Sequence, residues 1–193
     1  MSVIPERIIL AISGASGAIL GIRVLELLNA AGIETHLIIS KAGRQTILNE
    51  THWKVKDVEA LASRSYPPDQ IGAQIASGSF ITGGMLVAPC SIKTLSGIAN
   101  SYSENLIVRA ADVCLKEGRG VILAVREAPL HAGHLRLMKL ATRAGAVIFP
   151  PVPAFYSRAQ TMDEMITHMA GRMLLRLGIH NEAYQPWDGL DTP

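Results

Sequence analysis

Ile8-Ile9-Leu10-Ala11-Ile12-Ser13-Gly14-Ala15-Ser16-Gly17-Ala18 joins five apolar residues to a loop of small ones, and helical spacing follows from Gly21 to Ala31. An apolar run without polar alternation reads as a strand buried on both faces, as in parallel sheets covered by helices. The same alternation continues along the chain. Further strands are expected at Thr35 to Ile39, Met85 to Ala88, Val121 to Val125 and Ala146 to Phe149. Helices are expected at Ala42 to Asn49, Val55 to Ser63, Thr94 to Asn100, Glu104 to Glu117, His131 to Arg143 and Thr161 to Leu177. Thr161 and Glu164 have the spacing of a capping box, and Gly178 reads as the stop of that last helix. Pro67-Pro68 and the glycines between Ser65 and Gly84 mark a long loop. The reading is a single α/β domain over 1–193, a three-layer sandwich around a parallel sheet, whose irregular tail at about 181–193 packs on a neighbour.

A chain of 193 residues suffices for one sizeable core. Its net charge of +2 argues against nucleic acid as the main partner. Hydrophobic residues make up 49%, but each apolar run is broken before the roughly 18 residues that a membrane span requires. Charged residues make up 18%, against roughly 25% in ordinary soluble proteins, which points to surface covered by other subunits and hence to a homo-oligomer. Met1 to Arg7 lack the features of a signal peptide, so a cytoplasmic location is expected. Cys90 and Cys114 supply neither a disulfide framework nor metal-ligand spacing and are expected to be reduced thiols. His131 and His134 form H-x-x-H, without the four-residue spacing and intervening glutamate of zinc proteases, and no metal is expected.

In a doubly wound sheet, ligands sit outside the carboxyl ends of the strands. The loop 13–18 allows backbone to approach an anion at the start of a helix, although a tight turn with nothing bound has the same composition. It is not a Walker A loop, and it fails the G-x-G-x-x-G pattern. The second strand ends in Ser40 rather than an acidic residue, which favours a mononucleotide over NAD. Pro89-Cys90-Ser91-Ile92-Lys93-Thr94 offers hydroxyls, backbone donors and one cation, with Cys90 either reactive or simply packed. Arg126-Glu127 follows another strand, as a salt bridge or as a pair in the crevice. Asn105, Arg109, Asp112 and Lys116 share a helix face, either as a solvated stripe or as a means of presenting Arg109 and Lys116 to a phosphate across an interface. The proline-rich exit 150–156 ends in the phenol of Tyr156, and Arg172 lies on the helix beyond it.

Six fragments taken in order resemble the UbiX-type flavin prenyltransferases: Gly14-Ala15-Ser16-Gly17-Ala18; Ala76-Ser77-Gly78-Ser79-Phe80; Pro89-Cys90-Ser91 with Lys93-Thr94; Arg109-Ala110-Ala111-Asp112-Val113 with Leu115-Lys116-Glu117; Arg126-Glu127-Ala128-Pro129-Leu130; and Pro153-Ala154-Phe155-Tyr156. The resemblance runs from about residue 7 to Pro186-Trp187. It implies a flavodoxin-like or Rossmann-like fold in a dodecamer, with FMN at subunit contacts and no metal. It implies transfer of a dimethylallyl group from dimethylallyl monophosphate to N5 and C6 of reduced FMN, yielding prenylated FMN for a UbiD-type decarboxylase. Matched by position, Gly14, Ala15, Ser16, Ser40, Ser91, Ile92, Lys93, Thr94 and Arg126 would bind FMN. Lys116, Arg126, Tyr156 and Arg172 would grip the prenyl phosphate, with Arg109 on the Lys116 helix in support. Glu127 matches the acid/base, Glu50 a second carboxylate of the site, and Ser16 a proton relay. Fixed cations in a dry site neutralise a leaving phosphate without Mg²⁺. Trp187 is a cation-stabilising neighbour, acting across subunits, or an interface anchor.

The chain departs from the family pattern at Leu20, where many members have Tyr, and at Arg136-Leu137, where the common run H-L-E-N-M becomes His134-Leu135-Arg136-Leu137-Met138. Two other readings stay open: an FMN-dependent cysteine decarboxylase-like flavoprotein, which needs no phosphate-binding set, and a non-catalytic flavin carrier.

Overall fold

The computed structural model describes residues 6–187 and Gly189. Six parallel strands form one sheet: β1 Arg7–Ile12, β2 Glu34–Ile39, β3 Arg64–Tyr66, β4 Gly84–Cys90, β5 Gly120–Val125 and β6 Val147–Ile148. Their order is β3-β2-β1-β4-β5-β6, so the winding reverses between β1 and β4. Helices α1 Ala18–Ala30, α2 Lys41–Glu50, α3 Val55–Ala60, α4 Ile92–Ala99, α5 Leu106–Lys116, α6 Ala132–Arg143 and α7 Met162–Leu175 cover both faces. This is the expected α/β sandwich.

Strand alternation divides the apolar side chains between two cores. Ile8, Leu10 and Ile12 face α1 and α7, where Leu20, Val24, Met169 and Met173 meet them. Ile9 and Ala11 face the other way, with Val87, Leu123 and the α4 and α5 residues Leu95, Ala110 and Cys114. Each fully buried Leu or Ile contributes about 1.5–3 kcal/mol. On the first face α1 rides close to the sheet, because a Cβ on Gly21 would stand 2.2 Å from the Ala88 carbonyl oxygen.

Several expected boundaries are corrected. The sheet has six strands rather than five: α3 stops at Ala60 instead of Ser63, and Arg64–Tyr66 pairs with β2 at the sheet edge. Three residues are too few to display a period. Helix α1 begins at Ala18, not Gly21, and α5 begins at Leu106, with Asn105 as its N-cap, rather than at Glu104. The cap of α7 forms largely as expected, Thr161 Oγ1 accepting from the Glu164 N–H at 3.1 Å, while the Glu164 carboxylate takes the N–H of Gln160, one residue before the cap. Positions 181–187 are irregular but lie on α7 of the same chain, with Asn181 Nδ2 donating to the Gly171 carbonyl at 3.0 Å. The rest of the expected tail lies outside the described residues apart from Gly189.

Candidate active site

At the switch point the loops leaving β1 and β4 are tied together by Ser13, which is fully buried. Its hydroxyl donates to the Pro89 carbonyl at 2.9 Å and accepts the Ser91 N–H at 2.8 Å. Ser91 in turn caps α4, accepting from Thr94 N, and Ser40 caps α2, accepting from Gly43 N at 2.9 Å. These serines hold two helix starts toward the loop containing Gly14. That loop has no room for a side chain at Gly14, since a Cβ would stand 2.3 Å from the Ala42 Cβ.

The three segments wall a cavity of about 670 Å³, lined by Gly14, Ser40, Ser91, Ile92, Lys93, Thr94 and Glu127 among others. Seven expected residues are thus brought together. Backbone amides at two helix starts, small residues and hydroxyls fit the phosphate end of a mononucleotide, and Ile92, Ile107 and Val108 fit a flat apolar ring. Glu127 is exposed there, its carboxylate accepting the neighbouring Ala128 N–H at 3.1 Å. Arg126 is exposed after β5. Lys93, instead of pointing to an anion, pairs with Glu104 at 2.9 Å. Gln45, Asp69 and Tyr102 also line the cavity and were not anticipated; they lie in a helix middle and in loops whose composition carries no ligand signal.

The first helix start holds a carboxylate of its own. Glu50, at the end of α2, accepts from Gly17 N at 2.7 Å and lies 3.4 Å from Ala18 N. It occupies the donors that an anion would otherwise take, so ligand phosphate is left to the α2 and α4 starts. Gly17 adopts a left-handed φ of 99° to make this turn, and Ser16 beside it is exposed.

A second cluster gathers behind β6. The Arg172 guanidinium lies 5.9 Å from the Phe149 ring centre and 6.0 Å from that of Tyr184. Tyr156 stands edge-on to Trp187 at 5.6 Å, and its hydroxyl is 3.4 Å from that of Tyr184. Within the chain Trp187 packs on Tyr156. Tyr184 was missed; one tyrosine in an irregular tail gives no pattern to read.

Of the α5 stripe, Asn105 caps the helix and lines the cavity, but Arg109 and Lys116 join neither cluster. Arg109 pairs with Asp112 at 3.0 Å, and Lys116 pairs with its neighbour Glu117, which holds that carboxyl below its ordinary pKa. Val108 lines the cavity, whereas Lys116 lies eight residues further on, roughly 12 Å along the helix axis. Burial pushes both thiols above their ordinary pKa, so Cys90 and Cys114 are packed neutral groups rather than nucleophiles. The His131 and His134 rings lie tilted by 36° with centres 3.6 Å apart, and His131 Nδ1 caps α6 by accepting from Gly133 N. Leu137 packs in the second core, and Arg136 lines a neighbouring groove of about 710 Å³ between α4 and α6.

Fold and site together define a doubly wound mononucleotide-binding protein. A model of the Flavoprotein family matches residues 4–171. Flavin prenyltransferase UbiX of Salmonella typhimurium is 51% identical over 187 residues, spanning 95% of this chain and 99% of its own. The crystal structure of AnUbiX (PadA1) in complex with FMN and dimethylallyl pyrophosphate superposes with a TM-score of 0.94 at 45% identity, covering 96% of this chain and 99% of that one. A dodecameric FMN-dependent UbiX-like decarboxylase from Escherichia coli O157:H7 gives 0.92 at 43% identity, covering 95% and 100%. The chain belongs to the Flavoprotein family and, within it, to the UbiX flavin prenyltransferases.

Proposed function

We propose that this chain moves a dimethylallyl group from dimethylallyl monophosphate to reduced FMN, making prenylated FMN for a UbiD-type decarboxylase. The observation that carries the reading is the switch-point cavity, where Gly14, Ser40, Ser91 and Thr94 surround a space that Glu127 also lines. Reduced FMN supplies the electron-rich N5 and C6 that take up the allyl group. Gly14, Ala15, Ser16, Ser40, Ser91, Ile92, Lys93, Thr94 and Arg126 hold and orient the flavin nucleotide.

The remaining work belongs to charged side chains. Arg126, Arg172 and Lys116 neutralise the donor phosphate as its C–O bond breaks, with Tyr156 adding a hydrogen bond and Arg109 supporting Lys116. The N5 proton leaves with the departing phosphate as the first bond forms, and closing the ring puts one proton on the prenyl alkene and takes one from C6, both through Glu127, so charge and atoms balance without a metal. Ser16, beside Glu50, relays protons at the first loop. Holding allyl group and flavin face to face supplies much of the acceleration.

Lys116 stands at the far end of α5 from the cavity, so completing the set requires α5 of a second copy. That supports a homo-oligomer, and the dodecameric relative supports twelve subunits. No described helix is long and apolar enough to cross a membrane, and a cytoplasmic location remains part of the proposal.

The test is anaerobic incubation of the protein with reduced FMN and dimethylallyl monophosphate or diphosphate, followed by mass and absorbance of the extracted flavin. A flavin heavier by one prenyl unit is expected, formed faster from the monophosphate. Tightly held but unmodified flavin would leave a carrier. Oxidation of a peptide's carboxy-terminal cysteine would mark a cysteine decarboxylase.

A further inference from the structure

The segment after α7 doubles back along that helix. Gly171 makes this possible, because a Cβ there would stand 2.6 Å from Asn181 Oδ1 and 2.9 Å from the backbone of Ala183. Asn181 Nδ2 donates to the carbonyls of Gly171 and Ile179, and the buried His168 ring has Nε2 3.3 Å from the Gln185 carbonyl oxygen. Pinned at both ends, the strap lays Tyr184 against His168, with ring centres 4.9 Å apart, and beside Arg172. Its hydroxyl comes 3.4 Å from that of Tyr156.

We propose that Tyr184 is a positioning residue for the phosphate end of the prenyl donor, its hydroxyl orienting that of Tyr156 while its ring steadies Arg172. The inference rests on the function proposed above. A phenol has one proton and accepts through its lone pairs. With Tyr184 donating to the Tyr156 oxygen, the Tyr156 proton is free to point at an anion, and a chain of two hydroxyls strengthens the terminal donor. The same hydrogen bond pushes the Tyr184 phenol above its ordinary pKa. Arg172 gains a neighbouring aromatic face that limits its rotamers without neutralising it.

The experiment is calorimetric binding of dimethylallyl monophosphate, and separately of inorganic phosphate, to the full-length FMN-loaded protein. Tyr184→Phe deletes one hydroxyl and should weaken both ligands roughly three- to tenfold, the range for one hydrogen bond. FMN affinity and melting temperature should not move. Because Tyr184 acts through Tyr156, the double variant Tyr156→Phe/Tyr184→Phe should bind no more weakly than Tyr156→Phe alone. Gly171→Ala displaces the strap and should lose at least as much as Tyr184→Phe. Unchanged affinity in Tyr184→Phe, additive losses in the double variant, or a loss tracking a fall in melting temperature and FMN binding would each overturn the proposal. If the wild type binds both ligands with this dependence yet never prenylates flavin, the proposed reaction fails while the role of Tyr184 stands. A wild type that binds neither ligand overturns both.

Discussion

Glu127 is one carboxylate in the switch-point cavity, and a single-atom change tests what it does there. Glu127→Gln keeps the shape and the hydrogen bond from Ala128 but removes the proton-accepting oxygen. Prenylation should fall by about 10²- to 10⁴-fold, the usual worth of a positioned acid/base, while FMN binding persists; single-turnover kinetics beside a flavin titration measure both. Ser13 works differently, since it touches no ligand-facing space and ties two loops. Ser13→Ala leaves the Ser91 N–H short of its buried partner, while the Pro89 carbonyl keeps the Ser13 backbone N–H at 3.2 Å, at a cost of about 1–3 kcal/mol. In a domain this size that is roughly 2–4 °C of melting temperature per kcal/mol, readable by calorimetry. FMN affinity should drop with it, because Ser91 caps α4.

Among the elements, α1 depends most on one position. Gly21→Ala would drive a methyl against the Ala88 carbonyl oxygen, 2.2 Å away, and against the Ile12 side chain at 2.8 Å. Backbone in a buried strand yields little, so the variant should lose about 1–3 kcal/mol or more, seen as a lowered melting temperature with weaker FMN binding. The same elements explain what was legible in the sequence. β1, β4 and β5 are readable because both faces are buried, which leaves nearly continuous apolar runs, and β2 is readable from Leu37-Ile38-Ile39 at its carboxyl end. β3 was not, because Arg64-Ser65-Tyr66 is held by edge pairing and by side chains remote in sequence. The loops that carry Gly14, Ser91 and Glu127 announce themselves by following such runs. Ser13 was visible in its loop but without a role, since its partners lie more than seventy positions away. Tyr184 depends on a chain reversal over Gly171, which neither period nor spacing encodes.

For the molecule as a whole, pH acts through a buried network at the sheet edge. His36 has Nε2 2.7 Å from Glu34 Oε1 and Nδ1 2.8 Å from the Tyr66 hydroxyl, to which Gln74 donates at 2.9 Å. Arg7 grips Glu34 at 2.9 Å, and Arg64 lies over the Tyr66 ring. Burial pushes the His36 pKa down against the pull of Glu34, and the Arg7 hydrogen bond holds Glu34 below its ordinary value. Both groups bind protons more readily unfolded than folded, so stability is full above the unfolded pKa and is lost as pH falls through the folded one. For His36 the loss begins below about 6.5, and for Glu34 below about 4.5. Melting temperature should therefore decline on acidification from neutral pH, and His36→Gln, which keeps polar contacts without titrating, should flatten the upper part of that decline.

Oligomerisation makes the last prediction, because Lys116 lies about two turns of α5 beyond the cavity that Glu127 lines. If each site takes Glu127 from one copy and Lys116 from another, then Glu127→Gln and Lys116→Ala damage different partners of the same site. Either variant alone should be inactive. Unfolded together and reassembled at equal amounts, they should form some sites with both residues intact, about a quarter under random mixing in a symmetric assembly. Prenylated flavin should then appear at about that fraction of the wild-type rate, while separately reassembled variants stay silent. Placing both substitutions in one chain and mixing it with wild type gives the control, since the same random assembly again leaves about a quarter of sites whole. Recovery from the two single variants requires that the site be shared between subunits. Persistent inactivity of the single-variant mixture, with mixed oligomers verified by mass and the control active, would place Glu127 and Lys116 in a site formed by one chain.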